Sequence, residues 1–349
     1  MGYGFLHIDT YCHYIIRCFS KEQLYLFSIL TMHAFIKIGV IAICSFLLCH
    51  AIYRVIEKGR DKYFYHSLPQ FKELLEPTKP YDLLMLGSSR THVHNDPRII
   101  DSITGLNSFN AGIDGANMVS MYIMLKGYLE THRPPRLILV EISMYSFKVD
   151  EGHPLDATFY FRYLDNKAVY QSLNESWKYS GFFKHVPFLR LTQFDDINKT
   201  YGFKGLAGKK EMLFGNTYKG YAENSMKVIS DTVTHSEFGC SYVYYVEKGR
   251  DYVDKILSTC REKNIHAVVI YSPEYRQLNY ACPDGKRVID TITALAKRYN
   301  YPFWNYLYQP ICENPAYFAN IGHLNKAGAE KFSVILAEDV KKYMAQNHY

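Results

Sequence analysis

The sequence lacks the marks of several common protein classes. Its 8 cysteines form no Cys-x-x-Cys pair and no Cys/His spacing typical of zinc ligands, so neither a metal nor a cofactor is expected. It has no dense basic block, because the net charge of +6 is spread along 349 residues. Nucleic acid is therefore not an expected partner. Internal repeats and low-complexity tracts are also absent.

The composition is that of a folded globular chain. The hydrophobic share is 48%, with ordinary amounts of Gly and Pro, which excludes a disordered protein. The length suits one large domain with an appendage, or two modest domains. The 32 Tyr and 21 Phe predict an aromatic-rich core and surface. Stacking of Tyr on sugar rings is the functional alternative.

The cysteines fall into two groups. Four lie in or before an apolar N-terminal stretch, where thiols behave as small hydrophobes, and four lie in the globular part. In chain order they are Cys12, Cys18, Cys44, Cys49, Cys240, Cys260, Cys282 and Cys312. If the globular part is extracytoplasmic, Cys282 and Cys312 are candidates for a disulfide, although the sequence does not fix the connectivity.

The N-terminal region contains an apolar run long enough for a membrane. Residues 34–53 supply the roughly 20 predominantly apolar residues that a transmembrane helix needs. The run ends in bulky residues rather than a small-residue cleavage site, which favours an uncleaved signal anchor over a signal peptide. A buried core helix is the alternative, and Met32 is an alternative start of the chain.

We expect an anchor segment over residues 1–60 and a domain over 61–349, joined by a charged helical stalk within 54–80. The charges flanking the apolar run bear on orientation. Four basic residues follow the run closely, whereas Arg17 and Lys21 precede it. The positive-inside rule therefore places the domain in the cytoplasm.

The remainder alternates strands and helices, which predicts an α/β fold with a parallel sheet. Strands are expected near 81–86, 106–110, 136–142, 265–271 and 302–306, with helices near 116–130, 248–263, 286–299 and 324–344. The alternation stops between about 143 and 247. A loop that long without structure would be unusual, so we expect an inserted cap over the carboxyl edge of the sheet, where ligands bind in such folds.

Three short segments carry the chemistry. Gly87-Ser88-Ser89 follows the first strand and exposes Ser89 in a tight turn, as a nucleophile requires. NAGIDG follows the second strand and offers the N–H of Gly112 to an oxyanion. His323, three residues after Asn320, precedes the last helix and suits a base that the fold brings to Ser89.

Together, GSSR, NAGIDG and the C-terminal N-x-x-HLN-x-x-GA resemble the SGNH (GDSL-like) hydrolase superfamily. The likeness covers roughly residues 81–142 and 265–345. It is closest to membrane-anchored members that act with polysaccharide O-acetylation or D-alanylation machinery. It implies a flavodoxin-like α/β/α sandwich on the extracytoplasmic side of a single-pass cell-membrane anchor, against the charge rule. It also implies Ser89 as nucleophile, Ser89 and Gly112 as oxyanion donors, and His323 as base.

Two departures from that pattern bear on activity. The family's last block is usually Asp-x-x-His, and Asn320 stands at the Asp position. The family's third block supplies an oxyanion Asn, whereas this chain has VEISMYSF, with Glu141 or Ser143 in that neighbourhood. The departures leave three alternatives: the protein runs on a Ser–His dyad, uses another acid such as Asp114, or is catalytically weak.

Polar residues around the nucleophile are candidates for substrate binding. These are Arg90, His94 and Asp114, with Pro273–Arg276 after the fourth strand. His92 and His94 have no carboxylate or Cys companion that completes a metal site.

Two functions remain open from the sequence. The first is a serine acyltransferase or esterase acting on O-acyl groups, acetyl in particular, of a cell-surface glycan. The second is a degenerate SGNH-fold protein that binds a glycan or a membrane-bound O-acyltransferase without chemistry.

Overall fold

The computed structural model describes residues 21–63, 68–147, 157–176, 180–194, 196–210, 217–225, 247–276 and 285–347. The chain divides into two compact units, the first ending at Val55 and the second comprising Ile56–Tyr349. The predicted pairing of Cys282 with Cys312 falls partly outside these residues, because Cys282 is not among them. Cys260 and Cys312 are buried free thiols.

The described helices alternate with strands over much of the second unit. The helices are α1 Lys21–Tyr63, α2 Leu68–Leu75, α3 Ser89–His94, α4 Pro97–Thr104, α5 Met118–Thr131, α6 Lys167–Ser176, α7 Ser180–His185, α8 Asp196–Leu206, α9 Glu247–Glu262, α10 Gly285–Arg298 and α11 Lys326–Gln346. The strands are β1 Leu83–Gly87, β2 Ser108–Gly112, β3 Leu137–Glu141, β4 Thr217–Tyr218, β5 Tyr221–Ala222, β6 His266–Tyr271, β7 Phe303–Asn305, β8 Phe318–Asn320 and β9 His323–Leu324.

Five parallel strands form the central sheet in the order β2-β1-β3-β6-β7. β1, which leads to the nucleophile, lies between β2 and β3, so the turns after all three strands meet at one edge. Every residue of these three strands is buried, as expected for a sheet covered on both faces. The predicted α/β fold with a parallel sheet is confirmed.

Alternate residues of β1 enter two separate hydrophobic cores. Leu84 and Leu86 belong to a core that includes residues of α2, α5, α9 and α10. Leu83 and Met85 belong to a second core with residues of α4 and α11. This alternation follows from the two-residue period of a strand, and it gives the three layers of an α/β/α sandwich.

The long N-terminal helix has two differently built parts. Within Ser28–Tyr63 it is long and apolar enough to cross a membrane, with a mean hydropathy of 2.2 in its most apolar window. Its last two turns, from Ile56 onward, belong to the second unit. In those turns, Gly59 approaches Gly202 of α8 so closely that a Cβ on Gly59 would overlap the backbone of Gly202.

Arg60 shows that this part of α1 is built into the second unit. It is 1% exposed, and its guanidinium lies 4.8 Å from the ring of Phe159 and 4.4 Å from that of Phe194. It also donates to Glu57 at 2.9 Å and to Thr158 at 2.8 Å. The sequence-based view of residues 54–80 as a stalk is wrong at Arg60, because two aromatic rings and a partly buried ion pair hold this side chain. α2 likewise contributes core residues.

The described parts of the 143–247 insertion are mainly helical, with the short β4–β5 hairpin near its end. The hairpin contacts β2, the strand at one side of the sheet, where the Asn110 N–H donates to the Lys219 carbonyl at 2.9 Å. Asn224, just beyond it, donates to the Leu324 carbonyl at 3.1 Å. The insertion thus contacts both β2 and the segment that carries His323.

Candidate active site

Ser89 is the first residue of the short helix α3, directly after the buried strand β1. The turn depends on Gly87, because a Cβ there would lie 2.8 Å from the Cβ of Glu141 on the neighbouring strand. Ser89 itself is half-buried. The strand thus ends by presenting the Ser89 side chain at the carboxyl edge of the sheet, as the sequence predicts.

His323 faces Ser89 although 234 residues separate them in the chain, and the two atoms Ser89 Oγ and His323 Nε2 are 2.7 Å apart. His323 opens β9, which pairs antiparallel with β8. The hairpin is followed at once by α11, whose N-cap Asn325 accepts from the Gly328 N–H at 3.0 Å. The cap and the hairpin together fix the backbone that carries the base.

Asn320 orients the His323 ring. Its Oδ1 lies 2.9 Å from His323 Nδ1 and also accepts from the Gly322 N–H at 3.0 Å. A backbone N–H can only donate, so Gly322 turns the amide oxygen, not the nitrogen, towards His323. Nδ1 must then carry the ring proton, and Nε2 is left with its lone pair towards Ser89. This is the tautomer that a general base needs.

The charges around His323 favour its neutral form. Burial of the ring and, after it, the positive charge of Arg90 lower the pKa of His323 to about 4, with Asp114 acting in the opposite direction. The ring is therefore an unprotonated acceptor over the physiological pH range.

Arg90 is not a substrate-binding residue in this structure. It is 3% exposed, forms an ion pair with buried Glu274 and donates from Nε to the Gly322 carbonyl at 3.2 Å. The sequence-based assignment to substrate is wrong because the guanidinium points into the protein.

His94 and His92 are also directed inward. His94 is fully buried, and its Nε2 accepts from the Leu324 N–H at 3.0 Å. Burial, reinforced by the neighbouring His323 and Arg90, lowers the pKa of His94 well below its usual range. His94 therefore supports β9, the strand that carries His323. The predicted contact of His94 with substrate is wrong, because its side chain is fully buried.

Asp114 pairs with His92 and not with His323. The His92 Nδ1–H donates to Asp114 Oδ1 at 2.8 Å, and the Asp114 side chain keeps 32% exposure. The idea that Asp114 replaces the missing acid is therefore not supported by its contacts. Its partly exposed position still suits a role in substrate binding, which stays a prediction.

Gly112 has a different role from the predicted one. It is buried, and its N–H donates to Asn110 Oδ1 at 3.0 Å, so that N–H is not offered to an oxyanion. A Cβ on Gly112 would lie 2.7 Å from the Cα of His92. The residue is glycine because β2 approaches the backbone of α3 closely.

The NAGIDG turn offers other donors. Gly115 is exposed and has φ +69°. Among the residues that the structure describes, no backbone acceptor lies on the N–H of Asp114 or Gly115. These groups, with the Ser89 N–H at the start of α3, are candidates for oxyanion donors.

Sequence reasoning missed the role of Asn110. Its Nδ2 donates to the carbonyls of Thr91 at 2.6 Å and Asn95 at 2.8 Å. It therefore ties the middle of β2 to the nucleophile helix α3 and to the residue that follows α3. A polar side chain at a strand end was the available signal, but its partners are visible only in the fold.

Neither Glu141 nor Ser143 replaces the family's third oxyanion residue. Glu141 is fully buried, with Ser88 Oγ 3.4 Å from its Oε2, and burial raises the pKa of Glu141 to about 7 against the opposing charge of Arg90. The Ser143 N–H donates to Ser146 Oγ at 3.0 Å, and Ser143 is 1% exposed. Both side chains are buried and are not presented at the surface beside Ser89.

The segment Pro273–Arg276 was expected at the ligand edge. Instead Glu274 is buried against Arg90, and the Tyr275 N–H donates to the Ile321 carbonyl at 2.9 Å. Arg276 forms an ion pair with Glu313. The segment therefore supports the loop of the base rather than a ligand.

No protein-family model matches the sequence, and neither does any curated protein. Among solved structures, the chain is similar to a Bacteroides fragilis NCTC 9343 protein provisionally described as an acylhydrolase, with TM-score 0.39 and 10% identity over 80% of this chain and 95% of that one. An acetyl xylan esterase has TM-score 0.38 and 11% identity, covering 75% and 98%. A carbohydrate acetylesterase family member from Sinorhizobium meliloti has TM-score 0.33 and 11% identity, covering 75% and 98%. Such low values support no conclusion about activity.

Proposed function

We propose that the protein is a serine ester hydrolase or O-acyltransferase. The observation that carries this proposal is the contact of Ser89 Oγ with His323 Nε2 at 2.7 Å, in a ring whose Nδ1 proton is held by Asn320. A hydroxyl, a base within hydrogen-bond reach and a third group that orients the base are the requirements of nucleophilic catalysis.

The reaction follows from these contacts. Ser89 Oγ attacks the ester carbonyl while His323 Nε2 takes its proton, giving a tetrahedral oxyanion. Collapse breaks the bond to the alcohol, which receives the proton from Nε2 and leaves an acyl-Ser89 ester. A water molecule or an acceptor hydroxyl then attacks this ester, His323 again moves the proton, and Ser89 is released.

The oxyanion would be bound by backbone donors. We assign this role to the N–H of Ser89 and to the N–H groups of Asp114 and Gly115. Removal of one donor from such a site costs about 10²–10³ in kcat in a serine protease. A site without the family's third donor would therefore be slower than its complete relatives and still active.

The substrate class rests on the resemblance to membrane-anchored SGNH proteins and on the apolar part of α1. We propose O-acyl, in particular acetyl, groups of a cell-surface glycan as substrate, with a membrane-bound O-acyltransferase as partner. The domain would then be extracytoplasmic on a single-pass anchor. Basic residues after the apolar run favour the opposite orientation, so a reporter active only outside the cytoplasm, fused after Tyr349, tests it.

Binding without chemistry is the second candidate. It is favoured by the inward position of Glu141 and Ser143, which leaves the third oxyanion position without a side-chain donor. It is disfavoured by the close contact of Ser89 with His323, which a binding protein does not need.

The deciding experiment is intact mass of the full-length protein in detergent after treatment with a fluorophosphonate. We expect one adduct on the wild type and on Ser88→Ala, whose hydroxyl points to Glu141. Ser89→Ala should give none, and His323→Ala should react at least about 10²-fold more slowly. A folded wild type without an adduct would instead favour the binding protein.

A further inference from the structure

The residue directly after the nucleophile is a buried arginine with a defined set of partners. Arg90 forms an ion pair with Glu274, which is fully buried. Glu274 Oε1 also accepts from the Tyr271 hydroxyl at 3.0 Å. The guanidinium carbon lies 5.9 Å from the centroid of the Tyr271 ring. The Arg90 guanidinium is thus held by Glu274 and by Tyr271, the last residue of β6.

Its other contact reaches the loop of the base. Arg90 Nε donates to the Gly322 carbonyl at 3.2 Å, and the N–H of the same Gly322 donates to Asn320 Oδ1 at 3.0 Å. Arg90 therefore holds the residue that decides which atom Asn320 presents to His323. The Tyr275 N–H supports the same loop through the Ile321 carbonyl at 2.9 Å.

These contacts close a ring. It runs from Ser89 Oγ to His323, to Asn320, to Gly322, to Arg90, and back to Ser89 through one peptide bond. Each hydrogen bond in the ring joins the nucleophile helix to the β8–β9 hairpin or joins residues within the hairpin. A shift of Arg90 would move Gly322 and with it the orientation of Asn320.

From this geometry we propose that the Arg90–Glu274 pair is the positioning element of the catalytic site, holding Asn320 and His323 in alignment with Ser89. The proposal rests on the proposed serine chemistry and deepens it. Asn320 carries no charge, so its orientation depends on hydrogen bonds alone, and a carboxylate at that position would have less need of such support. A buried ion pair is costly to desolvate and adds little to stability, which is consistent with a role in positioning.

The test uses the full-length protein in detergent, labelled with a fluorophosphonate and assayed on p-nitrophenyl acetate. Arg90→Met should slow labelling by about 10²-fold, since small misplacement of a catalytic group costs that much. The loss should appear in kcat with KM unchanged. Arg98→Met is the matched control, because Arg98 pairs with Asp96 at the start of α4, and it should label at the wild-type rate.

The pH profile gives a readout that a purely structural role would not move. The charged or titratable groups that act on His323 are Arg90 and His94 from α3 and Asp114 from the turn after β2. Loss of the Arg90 charge leaves Asp114 as the nearby charge, so the acid limb of kcat/KM should move to higher pH. It should stay in place in Arg98→Met.

Two further variants keep the test decisive if Arg90→Met folds poorly because Glu274 loses its partner. The double variant Arg90→Met with Glu274→Gln removes both charges and should label as slowly as Arg90→Met. Arg90→Lys keeps the charge but lacks the forked donors, and it should label about tenfold more slowly than wild type.

A wild-type rate in the folded double variant or in Arg90→Lys would overturn the proposal. A higher KM with unchanged kcat would also overturn it and would return Arg90 to substrate binding. Failure of the wild type itself to label would instead refute the proposed function, so the two failures are distinguishable.

Discussion

The N–H of Gly322 donates to Oδ1 of Asn320, the same oxygen that lies 2.9 Å from His323 Nδ1. In a serine protease, replacement of the triad Asp by Asn costs about 10⁴-fold in kcat because the histidine takes the wrong tautomer. Here the Gly322 N–H selects the amide oxygen, so the tautomer is correct. What the site lacks is the negative charge that stabilises the imidazolium.

Restoring that charge should therefore increase activity. In Asn320→Asp we expect the pKa of His323 to rise by about 1–3 units and the rate of fluorophosphonate labelling at pH 8 to increase by about tenfold, since one pKa unit of imidazolium stabilisation corresponds to about that factor. The labelling rate is measured by quenching samples at successive times and determining their intact mass. The control is Asn314→Asp, an exposed cap that donates nothing to the site. An unchanged rate in Asn320→Asp would mean that charge does not limit the step.

If the proposed serine chemistry holds, the wild-type protein should remain active in acid. Because burial lowers the pKa of His323 to about 4, the base is unprotonated above that pH and is lost as the pH falls through it. We expect the acid limb of kcat/KM for p-nitrophenyl acetate near pH 4, with little change between pH 6 and 7. A limb near the ordinary histidine value of about 6.5 would show that the ring is solvated in solution.

The buried Glu141 should make stability depend on pH. Burial raises the pKa of its carboxyl from 4.5 to about 7, so the unfolded chain ionises first as the pH rises. Between pH 4.5 and 7 the group should lower the free energy of unfolding by roughly 3 kcal/mol, at 1.36 kcal/mol per pKa unit.

Thermal unfolding of the full-length protein at pH 5 and pH 7.5 tests this dependence. Glu141→Gln should lose less stability than the wild type between the two pH values. Glu262→Gln, at an exposed position of α9, should behave as the wild type. Parallel curves for all three proteins would contradict the assignment.

The end of α1 should be necessary for the stability of the second unit. Arg60→Met leaves Glu57 without one of its cationic partners and removes a guanidinium packed on two rings. Breaking a buried pair costs at most about 3–5 kcal/mol, which for a unit of this length corresponds to a fall in Tm of up to about 5–8 °C. Arg54→Met, exposed on the same helix, should leave Tm unchanged. Equal Tm values for the two variants would restore the view of this segment as a stalk.

The sequence predicted β1, β3 and β6 well because these strands are mostly continuous apolar runs. The segment predicted as 136–142 is β3 at Leu137–Glu141, and that predicted as 265–271 is β6 at His266–Tyr271. Asp96 caps α4 and accepts from the Arg98 N–H at 2.9 Å. Local propensity and burial favour the same structure in these elements, so the local sequence pattern is enough to predict them.

The site was predicted only in part. Ser89, His323 and Asn320 could be named because strand ends and the resemblance point to them. Arg90 and His94 were assigned to substrate because a sequence shows polarity but not the direction of a side chain. The role of Gly112 was missed for a related reason: a glycine that avoids a clash and a glycine that donates an N–H look the same until the neighbouring helix is in place.

The separation of Ser89 from His323 along the chain has a consequence for biosynthesis. A nascent chain emerges from the ribosome with its N-terminus first, so the nucleophile strand is exposed long before the β8–β9 hairpin is made. Any product that terminates before residue 323 would carry the serine without its base. The ring from Ser89 to Arg90 can close only once synthesis has passed His323, so the proposed site cannot form in a shorter product.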